Sequence, residues 1–159
     1  MAENRGKKFE NVIRESLEKI DNVMVLRLPD PTNGYLGIRN ISDFVVYQYP
    51  FMYFLECKSV HGNTFPLSNL TENQYNGMLE QSEINGVMCG IIIWWVDKDV
   101  TKYFPIEYIQ YLKLDGSKSI RYDDTWGYDI EGKKKKVFFD YDMEELLNML
   151  ANNERGWDY

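Results

Sequence analysis

The sequence predicts an α/β fold: a mixed β-sheet flanked by helices, in a sandwich arrangement. Three observations predict it. An amphipathic helical period lies near the start, two β-rich runs meet at a Tyr49-Pro50 step, and a strongly apolar run, Val87 to Val96, follows a helix with its own capping signal.

Between Lys7 and Ile20 the apolar residues Phe9, Val12, Ile13, Leu17 and Ile20 recur at the spacing of one buried helix face. Val23 to Leu28 reads as a short strand, and the breaker cluster Pro29-Asp30-Pro31-Thr32-Asn33-Gly34 opens a loop that runs to about Asn40. Ser42 to Tyr47 and Phe51 to Lys58 then form the arms of an antiparallel hairpin. Thr71-Glu72-Asn73-Gln74 fits the capping box, with Thr at the N-cap and Gln at N3, and starts a helix to about Ile84 that Gly86 closes. Val87 to Val96 is apolar enough to be a central strand covered on both faces. Beyond it, Pro105 to Leu112 reads as a short helix, Gly116 and Asp123-Asp124 as turns, Val137 to Phe139 as a short strand, and Met143 to Leu150 as a terminal helix.

The 159 residues, 44% hydrophobic and 15% aromatic, fit one globular domain with a real core, spanning 1–159 and ending in an acidic helix and tail from about residue 140. No run approaches the roughly 18 to 20 apolar residues of a membrane span, and the opening Met-Ala-Glu-Asn-Arg-Gly-Lys-Lys lacks the apolar core of a secretory signal. The expected placement is cytoplasmic, the host cytoplasm included if the protein is phage-encoded. Cys57 and Cys89 sit in apolar runs and are expected to be free, buried thiols. A net charge of -7 argues against nucleic acid at first reading. Residues 140–159 carry six acids and one base, however, so they supply -5 and leave the other 139 residues at -2.

The sharpest chemical feature is Glu56-Cys57-Lys58 at the end of a strand. Alternation along a strand puts Glu56 and Lys58 on one face, roughly 7 Å apart along the backbone, and turns Cys57 into the core. If the hairpin loop is centred between Tyr49 and Pro50, Gln48 faces Phe51 and Asp43 faces Glu56. Two opposed carboxylates repel by up to roughly 1 kcal/mol unless something neutralises them. Magnesium, which favours hard oxygens and is commonly held by one or two carboxylates plus phosphate, suits that pair, and Lys58 beside it could stabilise charge on a reacting phosphate. A Glu-x-Lys triplet by itself is equally a solvated ion pair on a surface strand.

The pattern Asp43, twelve intervening residues, Glu56, one residue, Lys58 resembles the PD-(D/E)XK nuclease signature in the spacing of RecU-type Holliday junction resolvases. Asn4-Arg5-Gly6-Lys7-Lys8-Phe9-Glu10 resembles that family's Asn-Arg-Gly opening and its helix glutamate. Thr64-Phe65-Pro66-Leu67-Ser68-Asn69, followed by Gln74, resembles its Ser-Phe-Pro-Leu-x-Asn segment and following glutamine. The resemblance covers residues 4 to 95. It implies a restriction-endonuclease-like sandwich and a metal-dependent endonuclease that resolves four-way junctions by paired symmetric nicks in recombination or repair. It further implies that Asp43, Glu56 and Gln74 bind Mg2+ (with Mn2+ as a substitute), that Lys58 stabilises the transition state, and that Glu10 lies near the metal pocket. The expected partners are branched DNA, a second copy in a homodimer, and a recombinase, with no membrane. The segment between the first strand and Asp43 is short, where the family has a longer stalk that enters the junction. The alternatives are a related nuclease acting on forks, flaps or duplex DNA, and a non-catalytic DNA- or recombinase-binding accessory protein.

Several residues have two readings. Gln74 is either the N3 residue of the capping box or part of the site, since one side chain does not readily serve both. Glu10, on the residues alone, is a solvated helix glutamate. Arg5, Lys7 and Lys8 put positive charge at a helix start, against the macrodipole, which DNA phosphate would relieve. Arg27 and Arg39 flank the loop and could reach the junction centre. His61, the only histidine, is a phosphate contact or bystander rather than a general base. Lys133 to Lys136 is a solvated turn or a backbone contact. Trp94 and Trp95 are read as packing rather than base-stacking platforms.

Overall fold

A computed structural model describes residues 5–29, 40–134 and 139–156. The expected amphipathic helix is α1 (Arg5–Glu18), and its apolar face, Phe9, Ile13 and Leu17, is buried. The strand β1 (Met24–Arg27) follows, then β2 (Phe44–Gln48) and β3 (Phe51–Val60). Gln48 pairs with Phe51 and Phe44 with Leu55, the register expected from the turn at Tyr49-Pro50. A short strand β4 (Thr64–Pro66) and a 3-10 turn lead to α2 (Glu72–Ser82), capped by Thr71, and then to β5 (Val87–Trp95). The run at 87–96 is indeed central, paired on one side to β3 in parallel and on the other to an antiparallel strand, β6 (Val100–Pro105).

The remainder is α3 (Ile106–Leu114), β7 (Ser119–Arg121), β8 (Tyr128–Asp129), β9 (Gly132–Lys134), β10 (Phe139–Tyr141) and α4 (Met143–Gly156). The main sheet has six strands in the order β1-β2-β3-β5-β6-β8, with β3 and β5 the parallel pair. β4 with β7, and β9 with β10, make two small ribbons. Arg39, most of the loop to Asn40, Lys135, Lys136 and the start of the strand expected at 137–139 lie outside the described residues.

Alternation along the strands splits the core into two layers. Tyr53, Leu55, Cys57 and Ile92 pack with α1 and α4, while Cys89, Ile91, Ile93 and Trp95 pack with α2 and α3. The sheet is therefore covered on both faces, and each buried leucine, isoleucine or aromatic side chain contributes about 1.5–3 kcal/mol of transfer free energy. Trp95 is fully buried and Trp94 packs against the α1 layer, so both are core residues, as expected. Both cysteines are free and buried, Cys57 in the α1 layer and Cys89 in the α2 layer. Among the described residues no helix is long and apolar enough to cross a membrane.

Candidate active site

The ladder between β2 and β3 stops one residue short of Asp43, and the reason is chemical. Asp43 Oδ2 accepts the backbone N–H of Cys57 at 2.8 Å, so a side chain takes the place of a ladder carbonyl. The Asp43 carbonyl accepts Leu28 N–H at 2.8 Å, which ties the residue to the end of β1 as well. Asp43 is thus fixed from both sides, with its carboxylate set beside that of Glu56 as the hairpin register requires. Glu56 is only 3% exposed on the α2 face, Cys57 turns to the opposite face, and Lys58 Nζ lies 3.5 Å from Glu56 Oε2.

Burial pushes the Glu56 carboxyl up to about 9, the hydrogen bond and negative charge of Asp43 add to that, and Lys58 acts in the opposite sense. A buried carboxyl beside another carboxylate keeps its proton when no cation is present. That proton marks where positive charge belongs, and two hard carboxylate oxygens facing a strand end suit a divalent cation that also takes water and phosphate oxygens. Among the described residues no group of three or more His, Cys, Asp or Glu side chains could hold a metal. The donor set fits a two-carboxylate site completed by non-protein oxygens.

Gln74 makes contacts that fit each of its two readings. Its Oε1 accepts Thr71 N–H at 3.2 Å and Thr71 Oγ1 accepts Gln74 N–H at 3.1 Å, which completes the capping box, while its Nε2 donates to Glu56 Oε2. A primary amide has an accepting and a donating end, so one end caps the helix and the other orients the buried glutamate. The cap fixes which end faces which partner, because the Thr71 N–H needs the oxygen. Gln74 therefore presents nitrogen to the pocket, and its oxygen could ligate a metal only by leaving Thr71. One helical turn further on, Gly77 makes room for Ile41: a Cβ there would lie 2.1 Å from Ile41 Cγ2. The approach of α2 to the segment leading into Asp43 depends on that glycine.

Glu10 stands on the other side of the sheet. It belongs to α1, is paired with Arg27 at 2.7 Å, and is close enough to Cys57 that its charge helps raise that thiol, after burial, Asp43 and Glu56. It does not join Asp43 and Glu56 in a metal-ligating group. Arg27, expected to reach toward DNA, is half-buried against Glu10 and also donates to the Leu28 carbonyl at 3.5 Å. Lys7 and Lys8 occupy the first turn of α1, with Lys7 exposed and Lys8 half-buried. Arg5 and His61 are brought together at the end of β3, with Arg5 Nη1 3.0 Å from His61 Nε2. Asp97, just after β5, completes that group and had not been singled out from the sequence. The parallel pairing of Val60 with Trp95 is what places it beside His61.

A mixed sheet between helical layers, with Asp43 just before β2 and Glu56 and Lys58 on β3 brought together, defines a protein of restriction-endonuclease-like fold. A family model described as RecU, Recombination protein U, matches residues 29–143. The chain belongs to the RecU family, a family of Holliday junction resolvases. Hjc, a Holliday junction resolvase from the archaeal hyperthermophile Archaeoglobus fulgidus, has a similar fold with a TM-score of 0.55 and 14% identity over 78% of this chain and 95% of that one. A bacterial homing endonuclease, I-Ssp6803I, aligns with a TM-score of 0.47 and 12% identity over 98% and 99% of the two chains. No curated protein sequence matches.

Proposed function

We propose that this chain is a magnesium-dependent endonuclease that resolves four-way DNA junctions by paired symmetric nicks, acting as a homodimer whose twofold axis matches that of the junction. The observation that carries the reading is the pairing of half-buried Asp43 with buried Glu56, with Lys58 at its side, in a chain of the RecU family. Asp43 and Glu56 would hold the cation, Mg2+ or Mn2+ in its place, which supplies charge neutralisation and an acidified water when bound. The residues of the chain do the rest. The Cys57 N–H and the Leu28 N–H keep Asp43 from turning away, and the Gln74 amide orients the Glu56 carboxylate. Lys58, on the same strand face as Glu56, is placed to stabilise negative charge gathering on the phosphate. Lys7 and Lys8 at the start of α1 add positive charge toward the DNA backbone.

The short segment between β1 and Asp43 favours a second reading, in which the same chemistry acts on forks or flaps. One experiment separates the two: cleavage of labelled four-way junction, fork, flap and duplex by wild type and Asp43→Asn, with Mg2+ and then with chelator. Paired symmetric nicks confined to the junction are expected, lost in the variant and in chelator, with junction binding in Ca2+ retained. Unchanged cleavage by Asp43→Asn would dismiss this site. Cutting of forks or flaps would change the substrate, and binding without cutting would leave an accessory protein.

A further inference from the structure

Beyond the carboxylate pair, a second ordered polar group lies at the same end of the sheet. β3 carries Glu56 and Lys58 and ends at Val60, so His61 follows Lys58 by roughly 10 Å of strand. Asp97, in the 3-10 turn after β5, accepts from His61 Nδ1 at 3.1 Å with one oxygen and from Gly62 N–H at 2.7 Å with the other. Gly62 has φ +79, a left-handed turn that brings its N–H round to that oxygen. Arg5, at the start of α1, donates to His61 Nε2 at 3.0 Å.

These contacts admit one arrangement of protons. Arginine can only donate, so His61 Nε2 must be the lone-pair nitrogen and Nδ1 must carry the hydrogen that Asp97 accepts. Asp97 thus fixes both the ring plane and the tautomer, and it stays ionised, held below the usual carboxylate range by the Gly62 N–H and His61. Arg5 uses one of its donors on the imidazole and keeps the remainder of its fork. All three side chains are exposed, which suits a ligand arriving from solvent rather than a structural core.

We propose that Asp97, His61 and Arg5 form a clamp for a DNA backbone phosphate flanking the one at the Asp43–Glu56–Lys58 centre, with Asp97 as the positioning residue. This rests on the nuclease reading of the neighbouring site. When DNA arrives, Arg5 keeps one N–H on His61 Nε2 and turns the rest of its fork to the phosphate, whose charged oxygens make the stronger hydrogen bonds. His61, whose Nε2 lone pair cannot donate to a phosphate, acts by holding the Arg5 guanidinium, and Asp97 in turn holds the ring. Phosphate contacts of this kind set the register of the strand over the cutting centre and carry no sequence information.

The test measures binding of a labelled four-way junction, and of duplex, in Ca2+ across a salt series, in a Glu56→Gln background so that cutting plays no part. Arg5→Ala should weaken junction binding about fivefold to tenfold and lower the salt slope by roughly one ion. His61→Ala should weaken it several-fold, Asp97→Ala by a similar factor, and the His61→Ala/Asp97→Ala double variant no more than His61→Ala alone, because Asp97 acts through the ring. Since His61 is the only histidine, its imidazole 15N signals report the tautomer directly. They should show the Nδ1–H form in wild type and a mixture in Asp97→Asn, and should shift on adding junction. Unchanged affinity and slope in the Arg5 and His61 variants, with wild-type binding intact, would overturn the clamp and leave the nuclease reading standing. Additive losses in the double variant would overturn the positioning role of Asp97. Failure of wild type to bind any branched or duplex DNA would instead remove the reading on which the clamp rests.

Discussion

Replacing Glu56 by Gln should stabilise the cation-free protein while destroying the site, and the size of the effect follows from the geometry. The Glu56 carboxyl moves from an ordinary 4.5 to about 9 on folding, first by burial and then through Asp43. A carboxyl that holds its proton more tightly when folded contributes stability that is full below the unfolded value and is lost as pH rises through the folded one. The loss runs at about 1.36 kcal/mol per pH unit, which sets a ceiling near 3 kcal/mol at pH 7. Glutamine mimics the protonated acid: it can still accept from Gln74 and can donate to Asp43, but it cannot ionise. In chelator, the wild type should therefore lose stability steadily from about pH 5 to 8, whereas Glu56→Gln should not, and at pH 7 the variant should melt up to roughly 6–12 °C higher. Thermal and urea unfolding in EDTA across that range provide the assay, with His61→Gln in both backgrounds to remove the only histidine. Parallel pH profiles for wild type and variant would refute the argument that Glu56 is folded with its proton on.

The same proton should leave when a cation arrives. Calorimetric titration with Mn2+ at pH 7, in buffers of different ionisation enthalpy, should show about one proton released per ion in wild type and none in Glu56→Gln. Thr71→Ala should cost about 1 kcal/mol of stability through the lost N-cap yet leave cleavage nearly intact, whereas Gln74→Ala should lose similar stability and most of the cleavage; equal effects on cleavage would mean Gln74 acts only as a cap. Gly77→Ala should gain helix propensity but lose more to the clash with Ile41, giving a net destabilisation of roughly 1–3 kcal/mol and slower cleavage, and a stabilised, fully active variant would show that the approach of α2 does not matter.

The site was legible where one periodicity governed it. Strand alternation and a two-residue turn are enough to set Asp43 against Glu56, because a slip of one residue would turn Phe51, Tyr53, Leu55 and Cys57 away from the α1 layer. The capping box was legible for the same kind of reason, being a local pattern of Thr71 and Gln74. What could not be read locally depended on pairings between distant segments. β6 was missed because Thr101 and Lys102 interrupt its apolar pattern, and both are buried by tertiary contacts: Thr101 bonds to Tyr141 and Lys102 to the Asp124 carbonyl. Asp97 was missed because only the parallel pairing of β3 with β5, which no turn announces, brings it to His61. The pairing of Glu10 with Arg27 likewise depends on how α1 packs against β1, and an isolated helix does not reveal that.

The distribution of polar groups also explains why a chain with a surplus of acids can be read as acting on DNA. Net charge describes the whole surface, but binding responds to the field where the DNA lies. The acids nearest the centre are partnered: Glu56 is buried and protonated without a cation, Glu10 is paired with Arg27, and Asp97, though exposed and ionised, bonds His61 and Gly62. The cations at that end, Arg5 and Lys58, belong to α1 and β3, which meet on the sheet, so they are held in fixed relation to the carboxylates. The excess negative charge instead gathers in residues 140–159 of the sequence, of which Asp140 lies on β10, Glu144 and Glu145 on α4, and Asp142 between them. Repulsion of DNA by that segment weakens each binding mode in which the duplex runs past it, the non-specific ones included. Neutralising Asp142, Glu144 and Glu145 together should therefore raise non-specific duplex binding more than junction binding.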